Sequence, residues 1–194
     1  ASAACSSSSK STADGGVPAD GGNDNDGGVS DGGTDGGPVT TYRHFYYVIN
    51  PGAVASASDL HGHEVTASTG AIQAAGPTAD VESDTLAMVA TPDGKFLYVA
   101  QNVQDNVRAF GIAADGALTL TGDFTVGDGP RSMVVSPNGQ FLLVAHDVNY
   151  TNTLKSYSID PITGALSFVH SHGIGAGFNR VAIHPGGGFV YVST

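Results

Sequence analysis

The stretch Pro92–Ala100, PDGKFLYVA, returns as PNGQFLLVA at Pro137–Ala145 and as PGGGFVYVS at Pro185–Ser193. The repeated Phe96, Phe141 and Phe189 stand 45 and 48 residues apart, and Phe45 in HFYYVIN, 51 residues before Phe96, opens an earlier and more degenerate copy. A period of this size is the mark of stacked supersecondary units.

Two further patterns keep step with the first. VRAFGIAADGALTL from Val107 matches LKSYSIDPITGALSF from Leu154 and, more loosely, LHGHEVTASTGAIQ from Leu60, so Gly70, Gly116 and Gly164 are equivalent turn glycines. An apolar run precedes each Pro-x-Gly turn, as in DTLAMVATP at Asp84, RSMVVSP at Arg131 and NRVAIHP at Asn179. Each unit therefore holds four short strands, named A (before the Pro), B (after the Pro-x-Gly), C (after a polar loop) and D (after the Gly-Ala pair). Strand B carries Phe, Tyr, Leu and Val on both faces, where a strand with one wet face would alternate. Four-stranded sheets repeated at this spacing and covered on both sides are blades of a β-propeller. The expected fold is all-β, a propeller of four-stranded antiparallel blades with about three and a half blades present.

At these residues the chain resembles the lactonase-family propellers, the group that contains the propeller-type 6-phosphogluconolactonases and is related to the YVTN surface repeats. The resemblance rests on PDGKFLYVA, DNVRAFGI, DGALTL and GPRSMVVSP and runs from about Phe45 to Thr194. It implies seven blades and hydrolysis of a sugar lactone without a metal or other cofactor. Ser132 follows Arg131 where the family motif carries His.

Composition bounds the rest. The chain has 194 residues, 28 of them Gly, with no Trp, one Cys, 18 acidic against 7 basic residues and a net charge of −11. No basic stripe exists for a phosphate backbone, so nucleic acid is not an expected partner. No apolar run approaches the roughly 20 residues of a membrane span. Residues 1–5, ASAAC, read as the remnant of an export signal with a lipobox-like end, which makes Cys5 a candidate lipid acceptor and the only expected link to a membrane. The alternative for Cys5 is an ordinary free thiol. Residues 6–41, rich in Ser, Asp, Asn and Gly, have almost nothing to bury and are expected to be a flexible tether. Residues 42–194 are the partial propeller, with repeats near 45–83, 84–130, 131–178 and an incomplete 179–194. The first repeat is expected to lack its A strand, to be supplied by sequence beyond Thr194. The protein is thus expected to be exported, at a bacterial cell envelope.

Topology ranks the chemical groups. The D-to-A and B-to-C connections share one face of the propeller, and the Pro-x-Gly and Gly-Ala turns share the other. Groups at the start of strand A or the end of strand B can converge on a ligand over the channel. These are Arg131, Asn179, Arg180, Gln101, Asn102, Asn50, His146 and Asp147. Lactone opening needs an acid or base and a group to hold substrate charge, which assigns His146 as general base with Asp147 as its orienter. Arg131, Arg180, Asn179, Gln101 and Asn102 are the candidate binding groups. The competing assignment is structural: the arginines as inter-blade clamps, and His146, Gln101 and Asn50 as strand caps. His61/His63 and His170/His172 have the His-x-His spacing that puts two imidazoles on one strand face, but spacing supplies no third ligand, so no metal site is assigned. His44 and His184 fall on the opposite face and are read as structural. The functional expectation is an exported lactonase-like propeller acting on a small-molecule lactone, or else a non-catalytic surface propeller that binds protein or carbohydrate.

Overall fold

The computed structural model describes residues 4–11, 41–51, 58–66, 69–75, 79–81, 84–147, 152–175 and 180–193. Two complete four-stranded antiparallel sheets stand side by side. One contains β6 (Thr85–Ala90), β7 (Phe96–Gln101), β8 (Asn106–Ile112) and β9 (Leu118–Thr125) in that order; the other contains β10 (Pro130–Val135), β11 (Phe141–His146), β12 (Thr153–Ile159) and β13 (Leu166–Gly173). Before them lie β1 (Ala4–Ser11), β2 (Thr41–Pro51), β3 (Ser58–Val65) and β4 (Ile72–Ala74), with β5 (Ala79–Val81) pairing the other end of β3. After them comes a two-stranded sheet of β14 (Arg180–Ile183) and β15 (Val190–Ser193). The innermost strands β1, β6, β10 and β14 neighbour one another in turn, which is radial stacking of blades.

Two expectations are corrected at the start of the chain. The first blade does not lack its A strand, because β1 pairs antiparallel with β2 from Ala4↔Val48 to Ser11↔Thr41. Ser6–Ser11 therefore belong to a strand, not to a coil. Strand addition is made by main-chain N–H and C=O groups, so a Ser-rich segment with no apolar pattern can still satisfy the open edge of β2. The rest of the expected tether, residues 12–40, lies outside the described residues, as do Asn179 and the side chains of Cys5, His44 and Asn50.

The two-sided burial of strand B is observed directly. All six residues of β7 are buried. Leu97 and Val99 pack with Phe45, Tyr47, Ile49 and Leu60 of the first blade, while Phe96, Tyr98 and Ala100 pack with Met133, Val135, Leu142 and Val144 of the third. Strand D is the wet rim: β13 is exposed along almost its whole length, with His170 and His172 on it.

Successive blades are joined by a repeated lock. The Phe45 ring lies against Gly116, and the Tyr47 hydroxyl donates to the Gly116 carbonyl at 3.1 Å. One blade on, Phe96 lies against Gly164 and the Tyr98 hydroxyl donates to the Gly164 carbonyl at 2.8 Å. Both glycines have positive φ, +85° and +73°, and a Cβ on either would come within 2.5 Å of the Phe ring. Burial raises the Tyr98 phenol well above its usual value, with Asp93 and Asp160 adding to the effect, so it remains an O–H donor. Strand C reaches the other way. Arg108 donates to the Asp80 carbonyl at 3.4 Å, and its equivalent Lys155 donates to the Val126 carbonyl at 2.8 Å, each in the preceding blade.

The lock generates a stability prediction. Gly164→Ala adds both left-handed strain and a clash with Phe96, and is expected to cost about 2–4 kcal/mol. Gly175→Ala, at φ +81° with nothing within 4 Å among the described residues, carries the strain alone and is expected to cost about 1–2 kcal/mol. Urea unfolding of the two variants checks this, and equal losses would contradict the lock.

Candidate functional site

The face where D-to-A and B-to-C connections meet is built around the crossover from β9 to β10, residues 126–130. Its main chain is bound from three sides. Val126 and Gly127 N–H groups donate to the Asp105 carbonyl at 3.0 and 3.3 Å, and Gly129 N–H donates to the Asp105 carboxylate at 3.2 Å. Asp105 itself takes a positive φ of 54° to present both acceptors. The Val126 carbonyl accepts from Lys155 Nζ at 2.8 Å and from the Tyr157 hydroxyl at 2.9 Å. Burial pushes the Tyr157 phenol up to about 12, which keeps it a donor.

Arg131 leaves this crossover as the extra residue of a β-bulge: Pro130 pairs with His146 and Ser132 with Ala145, with Arg131 between them unpaired. A bulge re-aims one side chain without changing the strand on either side. The guanidinium is about half exposed, and Nη1 donates to Asp147 Oδ2 at 2.7 Å. Leu86 holds the same bulge position in β6, so the arginine is particular to this blade.

His146 is placed differently from its expected exposure at a mouth. It is 1% exposed, and Nδ1 lies 2.9 Å from the Asp128 carbonyl. A carbonyl only accepts, so Nδ1 carries the proton and Nε2 keeps its lone pair; Nε2 is buried with no partner among the described residues. Burial, and then the Lys155 ammonium, hold the imidazole below its ordinary value against the opposing bonds to the Asp128 and Gly127 main chain and the Asp128 charge. Asp147 serves Arg131, and its own N–H donates to the Gly129 carbonyl at 3.0 Å. The expected Asp147–His146 contact is thus replaced by Asp147–Arg131 and Asp128–His146.

The other candidates divide between clasp and core. Asn102, at the position of Asp147 one blade earlier, donates to Asp84 Oδ2 at 2.8 Å and closes strand B over the start of strand A in the same way. Gln101, the equivalent of His146, is fully buried with neither amide atom partnered among the described residues. Arg180 is exposed in β14 opposite Ser193. It aligns with Ser132, while the equivalent of Arg131 is Asn179, so the two arginines hold different positions in their repeats. Ser132 has a structural use of its own, as its hydroxyl accepts the Val181 N–H at 3.2 Å and ties the third blade to β14. Among the described residues no three His, Cys, Asp or Glu side chains stand close enough to share an ion. Sequence reasoning missed Asp105, Asp128 and the Arg108/Lys155 pair; the last had a signal, a cation recurring at the second position after the start of the VRAF and LKSY strands.

A cleft of about 730 Å3 opens on the opposite face, between successive Pro-x-Gly turns, lined by Pro92, Phe96, Pro137, Phe141 and Ile159 among others. Its polar groups are spent inside their own turns. Asp93 accepts the Thr91 hydroxyl at 2.6 Å and Asn138 accepts the Ser136 hydroxyl at 2.6 Å.

His146 gives a pH prediction. Its folded value lies below the ordinary 6.5, so its contribution to stability is complete above about pH 6.5 and declines below it, by up to about 1.4 kcal/mol per pH unit. The Asp93 carboxylate, where partial burial is outweighed by bonds from Thr91 and Lys95, is also held low, but its loss belongs below 3.8. Unfolding free energy measured from pH 7 to 5 is expected to fall in the wild type and to flatten in His146→Gln, which copies Gln101. Parallel slopes would contradict the buried neutral imidazole.

The family described as Lactonase, 7-bladed beta-propeller matches residues 56–182, more than half of the chain. No curated protein matches. Among solved structures, a candidate 6-phosphogluconolactonase from Bacteroides uniformis is similar at 19% identity and TM-score 0.62, over 75% of this chain and 43% of that one. The periplasmic gluconolactonase PpgL of Pseudomonas aeruginosa is similar at 23% identity and TM-score 0.60, over 76% and 43%. A candidate 6-phosphogluconolactonase from Bacteroides fragilis is similar at 20% identity and TM-score 0.58, over 78% and 48%. At these identities the likeness is one of fold, and the chain spans less than half the length of each. With a family match across the middle of the chain and blades that repeat the same inter-blade lock, the chain belongs to the lactonase seven-bladed β-propeller family.

Proposed function

We propose that the complete protein hydrolyses a sugar lactone. The observation that carries this reading is Arg131. It stands in a bulge at the channel end of β10, is half exposed, and uses one N–H on Asp147 while its other donors have no partner among the described residues. A guanidinium so fixed can donate to a lactone carbonyl oxygen and stabilise the charge that grows there when water adds. In that reaction the water oxygen bonds to the carbonyl carbon, the ring C–O bond breaks, the ring oxygen leaves as a hydroxyl with one proton, and the acid loses the other to solvent. The lone pair on His146 Nε2 could take a proton from water, but at 1% exposure the imidazole is closed to solvent in this structure. Export and attachment through Cys5 belong to the same proposal and rest on the sequence alone; in the structure the main chain of Cys5 pairs with that of Tyr47.

The second reading, a non-catalytic propeller that binds a surface ligand, is favoured by the 1% exposure of His146 and by its bond to a carbonyl in place of a carboxylate. Proton release from D-glucono-1,5-lactone, followed with the complete protein in a pH-stat, separates the two. Arg131→Ala is expected to lower kcat/KM about 10- to 100-fold, the loss of one charge-assisted hydrogen bond of roughly 1.5–3 kcal/mol. His184→Ala, on the opposite face, is expected to leave it unchanged. Equal rates for wild type and a folded Arg131→Ala would leave the non-catalytic reading.

A further inference from the structure

We propose that Asp105, in the second blade, is the positioning residue of Arg131 in the third; the inference rests on the lactonase reading. The link runs through Gly129. Its N–H donates to the Asp105 carboxylate at 3.2 Å, and its carbonyl accepts the Asp147 N–H at 3.0 Å, so this one residue is held from two blades at once. Pro130 follows, with φ locked by its ring, and Arg131 comes next as the unpaired residue of the bulge. Asp147 then takes the guanidinium at 2.7 Å. Where Gly129 is held therefore sets where the arginine starts.

The residue chosen for this position is not the one its backbone favours. Asp105 closes the turn between β7 and β8 at a φ of 54°, a left-handed conformation that glycine adopts without steric cost. Among the described non-glycine residues only Asp84 shares it, at φ 70°. Asp84 holds the place of Gly129 one blade earlier, because Thr85 pairs with Gln101 as Pro130 pairs with His146. Its carbonyl accepts the Asn102 N–H at 3.3 Å and its carboxylate accepts the Asn102 amide at 2.8 Å. Left-handed aspartates thus occur twice, both in connections of the same face and both with the carboxylate bonded. Backbone strain gathered on one face of a scaffold points to function there.

Joining the crossover to the turn does not by itself require the carboxylate. The Asp105 carbonyl, a group every residue carries, already accepts the Val126 and Gly127 N–H groups. One blade on, Asn152 holds the same place: its carbonyl accepts the Ile174 N–H at 2.9 Å, while its side-chain amide has no partner among the described residues. The main-chain bond therefore recurs, and the carboxylate bond is added at the crossover that leads into Arg131. A charged acceptor holds an N–H more firmly than a neutral one, which suits it to fixing Gly129.

Two variants of the complete protein test the inference: Asp105→Gly, which keeps the turn and the carbonyl without the carboxylate, and Asp105→Asn, which keeps an acceptor oxygen. In isotope-labelled wild type the Arg131 Nε–H resonance, assigned by its absence from Arg131→Ala, is expected outside the averaged arginine envelope. In Asp105→Gly it is expected to fall into that envelope while the protein stays folded, and kcat/KM for D-glucono-1,5-lactone to drop about 10-fold. Asp105→Asn is expected to restore the resonance and to bring kcat/KM within about threefold of wild type. In an Arg131→Ala background, Asp105→Gly is expected to cost less than about twofold, since a residue acting through another adds nothing once that one is gone. An Arg131 resonance unmoved in Asp105→Gly, or additive effects of the two substitutions, overturns the inference and leaves the lactonase reading intact. Failure of Asp105→Gly to fold makes Asp105 a structural residue and overturns it too. Absence of hydrolysis by the wild type overturns the lactonase reading, and the Arg131 resonance then decides the positioning by itself.

Discussion

The contact on which the structure depends is the seating of a B-strand phenylalanine on a glycine of the next blade. A ring can lie flat on the C-to-D turn only where no Cβ intervenes, and the turn itself needs a left-handed residue. Gly116 and Gly164 meet both demands, and the tyrosine two residues after each phenylalanine then bonds the same glycine's carbonyl. Main-chain geometry, apolar burial and a hydrogen bond thus agree at one point in each seam, which is the consistency that lets a repeated sequence specify one arrangement. Phe45 and Phe96, which sit on such a glycine, are 0% and 6% exposed.

The seams also explain the placing of the candidate site. Strand C cations reach back to the preceding blade, and Lys155 with Tyr157 fixes the crossover from which Arg131 emerges. The arginine is consequently held by the fold on its N-terminal side and by Asp147 at its tip. This also limits what the arginine can accept, because its charge is already matched.

Much of this was legible from residues alone. The Pro-x-Gly turns, the Gly-Ala turns and the apolar B strands fixed the four-stranded unit, and the equivalence of Gly116 with Gly164 follows from spacing. The innermost strand β1 was not legible, because Ser6–Ser11 pair through main-chain groups that side-chain patterning does not report. In the site, sequence position brought Arg131, Asp147 and His146 to one end of one blade. It could not say which of them would bond, since that depends on the Asp128 carbonyl, a group every residue carries, and on a bulge that turns Arg131 toward Asp147. Burial of Gln101 and His146 was likewise hidden, because a polar residue at a strand end reads as solvent-facing until a neighbouring blade covers it.

A double-mutant cycle between Phe96→Ala and Gly164→Ala, measured by equilibrium unfolding, tests the central claim most directly. If the ring is what the glycine makes room for, removing it relieves the clash of the added methyl, and the penalties fall short of their sum by about 1 kcal/mol or more, within the range for residues in contact. Additivity within about 0.3 kcal/mol, the behaviour of distant and independent sites, would contradict it.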